Sequence, residues 1–347
     1  MTDINNYFSS LLNEDINSED VEHNCYRHFA KNTDQGLNLK EFEELTRHLF
    51  CRENGQSYSV LPRMLADMFY VFDANKDGRI DKDEFKYAWK NWIKVILKPV
   101  SALVVIDVQN DFIKGSLSIK NCPANHNGED IIPVINHLID SIDFNVIIYS
   151  LDWHPDDHVS FIENISKRKV DCSSLVTGEK AKTFDTVIFE GTPKIEQKLW
   201  PKHCVQNTWG AEFHPDLKIT ENAVIVHKGT NSNIDSYSAF WDNQKLSSTN
   251  LDTELRERGV TDVFICGLAY DYCVGSTTLH ALELGYRTFL IDDASRGVDN
   301  KSIKIMKDKI IDMKGIIINS DQVRNLIEGK DRKPELGYRT AMLLARK

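Results

Sequence analysis

Short apolar runs alternate with stretches of helical periodicity from Ser101 onward. Six runs have the composition of strands that are buried on both faces of a sheet: Ala102–Ile106, Val146–Tyr149, Ala223–Val226, Val263–Cys266, Thr288–Ile291 and Gly315–Ile318. Between them, apolar residues recur at helical spacing in four segments: Ile131–Ile142, Leu251–Arg258, Cys273–Leu284 and Ser302–Met313. This alternation predicts an α/β domain with a doubly wound, mainly parallel six-stranded sheet.

The part of the chain before residue 98 has helical periodicity and contains a calcium-binding motif. Residues 73–84 read D-A-N-K-D-G-R-I-D-K-D-E. Oxygen-bearing side chains at loop positions 1, 3 and 5, glycine at position 6 and glutamate at position 12 are typical of an EF-hand loop. The expected calcium ligands are Asp73, Asn75, Asp77, the carbonyl of Arg79, Asp81 through a water molecule, and Glu84.

A second, degenerate loop precedes the intact one at residues 30–41. Ala30 stands where the first carboxylate belongs, and Gln35 replaces the glycine of the sharp turn. We therefore expect this loop to pair with the intact loop and not to bind calcium tightly. Pro99 disfavours helical geometry at Lys98, so the predicted boundaries are an EF-hand domain at 1–97 and a second domain at 98–347.

Composition excludes several classes of partner and location. The chain has 42 basic and 52 acidic side chains, and the net charge of -10 is spread along it, which argues against nucleic acid or an anionic membrane as partner. The sequence has neither a signal peptide nor an apolar stretch of about 18 residues that could span a membrane, so we expect a cytoplasmic protein. Seven cysteines without a C-x-x-C pair argue against a disulfide framework.

Reactive side chains follow the predicted strands at the sheet edge where ligands bind in this class of fold. Asp107 follows the first strand, Lys228 the third, and Cys273 begins the helix after the fourth. A helix N-terminus and a nearby lysine lower a thiol pKa, and a carboxylate can shuttle the proton. We therefore predict Cys273 as nucleophile, Asp107 as acid and base, and Lys228 as their cationic neighbour. Backbone N–H groups of Ala269 and Cys273 are the predicted oxyanion hole.

A metal site is predicted next to these residues. Asp152 and His154 alternate along an extended segment, so their side chains point to one face. His203 is the best candidate for a distant third ligand, and His158 is an alternative. Two histidines and one carboxylate leave coordination positions open, which is typical of catalytic zinc or iron.

These landmarks resemble the isochorismatase-like cysteine hydrolases, and most closely their nicotinamidase branch. The resemblance covers residues 99–321, and the segment that begins at Trp200 narrows it to the nicotinamidase and pyrazinamidase branch. Its five landmarks are Ile106–Phe112, Asp152–Pro155, Trp200–Gln206 with Gly210–His214, Lys228–Gly229 and Cys266–Cys273.

The resemblance implies a Rossmann-like hydrolase domain that converts nicotinamide to nicotinate and ammonia in NAD salvage. The reaction would pass through a thioester on Cys273, with Asp107 shuttling protons. The metal on Asp152, His154 and His203 would be zinc, with iron or manganese as alternatives, and would take the pyridine nitrogen. The implied substrate pocket consists of Phe112, Trp200, Tyr237 and Leu268, with a cis peptide between Leu268 and Ala269.

Two features depart from the family pattern. The stretch 162–199 is an insertion between two predicted metal ligands, and the EF-hand module is absent from the minimal pattern. The module is typical of an animal-type nicotinamidase and leaves calcium control open. The alternatives are another small-amide cysteine hydrolase of the same fold and a calcium-binding scaffold with an inactive hydrolase domain. A homo-oligomer is compatible with the sequence.

Overall fold

The computed structural model describes residues 6–345 and divides the chain into two compact units. The first unit comprises Met1–Ser101 and Asp321–Lys347, and the second comprises Ala102–Ser320. Residues 1–5 and 346–347 of the predicted domains lie outside the described residues. The predicted boundaries 1–97 and 98–347 therefore need correction, because the C-terminal segment packs with the first unit.

Two paired helix–loop–helix motifs build the N-terminal part of the first unit. The two loops meet in a short antiparallel ladder, with Leu37 opposite Ile80, which confirms the predicted pairing. Each loop ends in a reciprocal capping box, Asn38 with Glu41 and Asp81 with Glu84, which starts the following helix. The elements are α1 (Tyr7–Ser10), α2 (Glu19–Phe29), β1 (Leu37–Asn38), α3 (Leu39–Leu49), α4 (Pro62–Phe72), β2 (Arg79–Ile80), α5 (Lys82–Ala88) and α6 (Lys94–Leu97).

A six-stranded sheet forms the centre of the second unit, as predicted. Its strands are β3 (Ser101–Ile106), β4 (Val146–Asp152), β7 (Val224–Lys228), β8 (Asp262–Leu268), β9 (Arg287–Arg296) and β10 (Ile316–Ile318), and β5 (Thr186–Phe189) and β6 (Ile195–Lys198) form a separate hairpin. The spatial order is β10-β9-β8-β3-β4-β7, and the neighbouring strands run parallel. The order of the strands reverses between β3 and β8, which is where ligands bind in doubly wound sheets.

Five helices accompany these strands, and four of them were predicted. They are α7 (Asn110–Ile113), α8 (Ile132–Ser141), α9 (Leu251–Glu257), α10 (Gly275–Glu283) and α11 (Asn300–Asp312). A π-helical turn, Tyr270–Val274, precedes α10 and contains Cys273. The predicted insertion 162–199 carries the β5–β6 hairpin, which has a small apolar cluster of its own that includes Val187 and Leu199.

The C-terminal segment completes the first unit through helices α12 (Val323–Ile327) and α13 (Pro334–Leu344). Ala341 of α13 belongs to the apolar cluster of the EF-hand helices, and the carbonyl of Gly337 accepts a hydrogen bond of 2.8 Å from the Trp92 indole. This packing is the physical reason for the corrected boundary. Within residues 6–345, no helix combines the length and the apolar character that crossing a membrane requires.

Candidate active site and metal centre

The strand ends bring the predicted reactive residues to one edge of the sheet. Asp107 follows β3 with a left-handed backbone, φ 52°. Lys228 ends β7, and β4 ends at Asp152. Gly267 in β8 has φ 129°, and a Cβ atom there would lie 2.1 Å from the carbonyl oxygen of Ile106. Only glycine therefore allows β8 to approach β3 closely enough to bring Cys273 next to Asp107.

Asp107, Lys228 and Cys273 form one buried cluster. The Lys228 Nζ lies 2.9 Å from Asp107 Oδ2 and 3.3 Å from Cys273 Sγ. It also contacts Asp152 Oδ1 and donates to the Ser236 carbonyl at 3.0 Å. Asp107 Oδ1 accepts a 2.6 Å hydrogen bond from the Ser150 hydroxyl. The three predicted catalytic residues thus lie together in the protein interior.

The protonation of Cys273 differs from the sequence expectation. Burial raises the pKa of the Cys273 thiol well above its ordinary value; Lys228 opposes this, and the charges of Asp107 and Asp152 add to it. The expected lowering of the thiol pKa is therefore wrong, because desolvation and two carboxylates outweigh one lysine. Burial also raises the pKa of Asp107, against the effect of Lys228. The thiol is protonated at rest, and a base must take its proton before it can attack.

The three predicted metal ligands converge beside this cluster. Asp152, His154 and His203 each offer a ligand atom within 4.8 Å of the other two, and all three are buried. The Nε2 atoms of His154 and His203 lie 3.5 Å and 3.9 Å from Asp152 Oδ2. Their Nδ1 atoms lie 2.9 Å and 2.7 Å from the carbonyls of Gly229 and Pro201. These carbonyls favour the tautomer in which Nε2 carries the free lone pair, as in most histidine metal sites.

The charges at this cluster fit a divalent cation. Burial would raise the pKa of Asp152, but Lys228, His154 and His203 together lower it, so the carboxylate is charged. Burial and the neighbouring His154 lower the pKa of His203 to about 4, so its imidazole is neutral near pH 7. Burial would lower the pKa of His154, but the Asp152 carboxylate raises it, so a metal competes with a proton for this imidazole. The charged carboxylate and the neutral His203 are ligand forms that zinc requires.

Two residues that the sequence reading did not single out hold the metal ligands in place. The Gln109 amide donates to the Asp152 carbonyl at 2.8 Å and accepts from the Asp152 N–H at 2.8 Å. Asp111 Oδ2 accepts a 2.7 Å bond from the N–H of Cys204, next to His203, where the backbone is left-handed. The landmark Ile106–Phe112 therefore supplies both the predicted base and the supports of the metal ligands. Its alternating polar positions after β3 were the available signal.

A small cavity opens onto the thiol and the metal ligands. With its open mouth it encloses about 380 Å³, and its walls include Phe112, Trp200 and Tyr237 as predicted. Leu268 does not line it, so this part of the predicted pocket is wrong: Leu268 is the last residue of β8 and is fully buried in the sheet. The wall residues that the sequence reading missed are Leu117, Ile119, Asp235, Tyr272 and Val298. Ile119 and Tyr272 lie in short helical turns and the other three in loops, and no local pattern encodes the contacts of these segments.

The turn before Cys273 differs from the expected cis geometry. Among residues 6–345, the one cis peptide is Thr192–Pro193, so the expected cis bond between Leu268 and Ala269 is absent. Ala269 instead has a left-handed backbone, φ 59° and ψ 66°, and lines the cavity. This conformation turns the chain from β8 into the π-helical turn. The oxyanion-hole role of the Ala269 and Cys273 N–H groups stays a prediction.

The predicted calcium loop has a left-handed glycine at position 6, Gly78 with φ 85°. Glu84 accepts hydrogen bonds from the N–H groups of Ala74, Asn75 and Asp81 at 2.8, 3.1 and 2.9 Å. Asp73 is 5% exposed, and its Oδ1 is a buried atom without a hydrogen-bond partner. An orphaned carboxylate oxygen of this kind is costly unless a cation occupies the loop, so the residues fit calcium.

Comparison with known proteins agrees with this geometry. The Isochorismatase domain family matches residues 101–322, and the EF hand family matches residues 65–86. The nicotinamidase of Escherichia coli (strain K12) is 38% identical over 204 residues, which are 58% of this chain and 85% of that protein. The nicotinamidase of Saccharomyces cerevisiae is 34% identical over 217 residues, 60% and 94% of the two chains. A solved Acinetobacter baumanii nicotinamidase and pyrazinamidase superposes with TM-score 0.55 at 37% identity, covering 65% of this chain and 98% of that one. The chain therefore belongs to the isochorismatase domain family.

Proposed function

We propose that this protein hydrolyses nicotinamide to nicotinate and ammonia. The observation that carries the proposal is the buried contact of Lys228 Nζ with Cys273 Sγ at 3.3 Å and with Asp107 at 2.9 Å, beside the cluster of predicted metal ligands. The E. coli and S. cerevisiae relatives both bear the name nicotinamidase. A nucleophile, a base and a metal-ligand set at one small cavity suit the hydrolysis of a small aromatic amide.

The chemistry follows from the protonation states of the three residues. Asp107 accepts the thiol proton as Cys273 Sγ bonds to the carboxamide carbon, and the N–H groups of Ala269 and Cys273 are suited to stabilise the oxyanion. Asp107 then protonates the leaving amine, so that the C–N bond breaks and ammonia departs. Water, giving a proton to Asp107, attacks the thioester and releases nicotinate, and that proton returns to the sulfur. Lys228 compensates the negative charge of the Asp107 carboxylate and of the Cys273 thiolate throughout the reaction.

Asp152, His154 and His203 are the residues that would hold the metal, for which we propose zinc. The ion would supply a Lewis acid for the pyridine nitrogen. Phe112, Trp200 and Tyr237 line the cavity and would bind the ring through apolar contacts. Nicotinate as product would place the protein in NAD salvage. We propose that the protein is cytoplasmic.

For the loop 73–84 we propose calcium as ligand. The buried, unpartnered Asp73 Oδ1 and the left-handed Gly78 support this assignment. The carboxylates of Asp73, Asp77 and Glu84, the side chain of Asn75, the carbonyl of Arg79 and Asp81 through water are the proposed ligands. Whether calcium changes turnover is a separate question, answered by measuring ammonia release with and without calcium.

The test of the proposed reaction is ammonia release from nicotinamide by the purified full chain. We expect turnover by the wild type, loss of turnover in Cys273→Ala, and loss after chelation that zinc restores. Cys266→Ala is the matched control, because Cys266 is also buried, in β8, but does not line the cavity. If the wild type releases no ammonia with zinc and calcium both present, nicotinamide is the wrong substrate, and other small amides become the candidates. Failure with all of these would favour the scaffold alternative.

A further inference from the structure

Asp235 is a second buried carboxylate next to the metal ligands. It is 4% exposed and lines the cavity. Its carboxylate forms a buried group with His154 and His158, in which the ligand atoms lie within 4.8 Å of one another. Oδ1 accepts a 2.8 Å bond from the N–H of Ser236, and Oδ2 accepts a 2.9 Å bond from the Gln197 amide. Both oxygens are thus acceptors; burial raises the pKa of this carboxyl, and the Gln197 hydrogen bond opposes that rise.

The donor that holds Asp235 comes from the insertion. Gln197 lies on β6 of the β5–β6 hairpin, is 2% exposed, and its amide also donates to the Lys198 carbonyl at 2.8 Å. From the same insertion, the Phe184 ring packs edge-on against Trp200 of the cavity wall, with 5.7 Å between ring centroids. The insertion therefore forms an outer wall of the site and fixes one oxygen of Asp235.

Asp235 differs from the other carboxylates of this region in its partners. Asp107 and Asp152 both contact the Lys228 ammonium, whereas Asp235 has no ion-pair partner among the described residues. His158 Nε2, in the same group as Asp235 and His154, is also buried and has no hydrogen-bond partner. A buried carboxylate without a cationic partner is costly, and a divalent cation beside it would lower that cost.

We propose that Asp235 is the outer carboxylate of the metal centre, held by Gln197, and that it strengthens divalent-cation binding without being one of the three ligands. The inference rests on the metal site of the proposed function. Asp235 compensates the charge that Asp152 alone leaves on the ion. It acts as a positioning residue, and the insertion 162–199 thereby contributes to metal affinity.

The test is zinc affinity of the full chain, measured by competition with a chromophoric chelator. We expect Asp235→Asn to weaken zinc binding 10- to 100-fold, the usual effect of losing an outer partner. Asp242→Asn is the matched control, because Asp242 is equally buried at 4% exposure and bonds within its own loop; we expect its zinc affinity to change less than about twofold, well below the loss expected for an outer partner. Equal affinity of wild type and Asp235→Asn would overturn the inference alone. A wild type without zinc affinity would overturn the metal site itself.

Thermal unfolding separates charge compensation from a merely structural role. Zinc should raise the melting temperature of Asp235→Asn less than that of the wild type, because a ligand that binds only the folded state stabilises it according to its affinity. A lower melting temperature without metal, with an unchanged increase on adding zinc, would contradict the proposal.

The part assigned to the insertion has its own test. Gln197→Leu should weaken zinc binding several-fold, in the same direction as Asp235→Asn but by less. Glu196→Gln, an exposed neighbour on β6, is the control and should leave the affinity unchanged. An unchanged affinity in Gln197→Leu would remove the insertion from the proposal.

Discussion

At the scale of single residues, the candidate active site depends on an unfavourable environment for its nucleophile. Burial raises the pKa of the Cys273 thiol, and Asp107 raises it further through its charge and a side-chain hydrogen bond. The carboxylate that is placed to take the proton thus also keeps the thiol protonated at rest. The same carboxylate is therefore placed to accept that proton when the thiol attacks.

Asp107→Asn should therefore change thiol reactivity and turnover in opposite directions. Removing the negative charge lowers the thiol pKa, so alkylation of Cys273 by iodoacetamide should become faster. The range to measure lies between pH 7 and pH 9, and its upper limit is the ordinary pKa of a thiol. Hydrolysis of nicotinamide should fall about 10²- to 10⁴-fold, because the proton acceptor is lost. Alkylation is followed by mass spectrometry of the Cys273 peptide in metal-free protein, with the exposed Cys172 as internal reference. Slower alkylation in the variant would show that Asp107 lowers the thiol pKa.

At the scale of elements, the sequence pattern predicted the strands of the main sheet better than the turns and loops that connect them. The six strands of the main sheet are continuous apolar runs, and burial on both faces requires such runs, so their positions follow from the sequence. The predicted catalytic residues could be singled out because each lies at the carboxyl end of a strand or in the turn that follows it. Leu268 was assigned to the cavity wall and Asp235 was not, because the wall depends on how β8 enters its turn and on a contact between residues 197 and 235. No periodicity records such contacts.

The two EF-hand loops offer a matched pair for a calcium test. Asp73 Oδ1 is buried and unpartnered, whereas Asp34 lies exposed in the degenerate loop. We expect calcium to raise the melting temperature of the wild type, because a ligand that binds only the folded state stabilises it. Asp73→Asn should abolish most of this increase, and Asp34→Asn should preserve it. Calorimetry with calcium and with chelator measures both; an equal loss in the two variants would mean that calcium does not bind through loop 73–84.

At the scale of the whole molecule, the two ends of the chain share one core. Arg332 is 2% exposed and donates to the carbonyls of Leu49 and Gly329 at 2.6 Å each. Its guanidinium also lies 2.8 Å from Cys51 Sγ, and burial lowers its pKa. The C-terminal segment was predicted as part of the second domain because it follows the last strand. Its true assignment depends on where one buried arginine and α13 pack, and no local pattern in the sequence records that packing.

Arg332→Met should destabilise the calcium-binding unit selectively. The substitution keeps an apolar stem of similar length but leaves the buried carbonyls of Leu49 and Gly329 without donors, at a cost of about 3 kcal/mol. For a unit of this size we expect the calcium-sensitive unfolding transition to fall by on the order of 10 °C, while zinc affinity is unchanged. Lys330→Met is the control, because Lys330 is exposed and forms its ion pair with the nearby Glu328. We expect this variant to leave the calcium-sensitive transition unchanged. An unchanged calcium-sensitive transition in Arg332→Met would mean that the C-terminal segment does not fold with the EF-hand helices, and the chain would then divide where its sequence alone suggested.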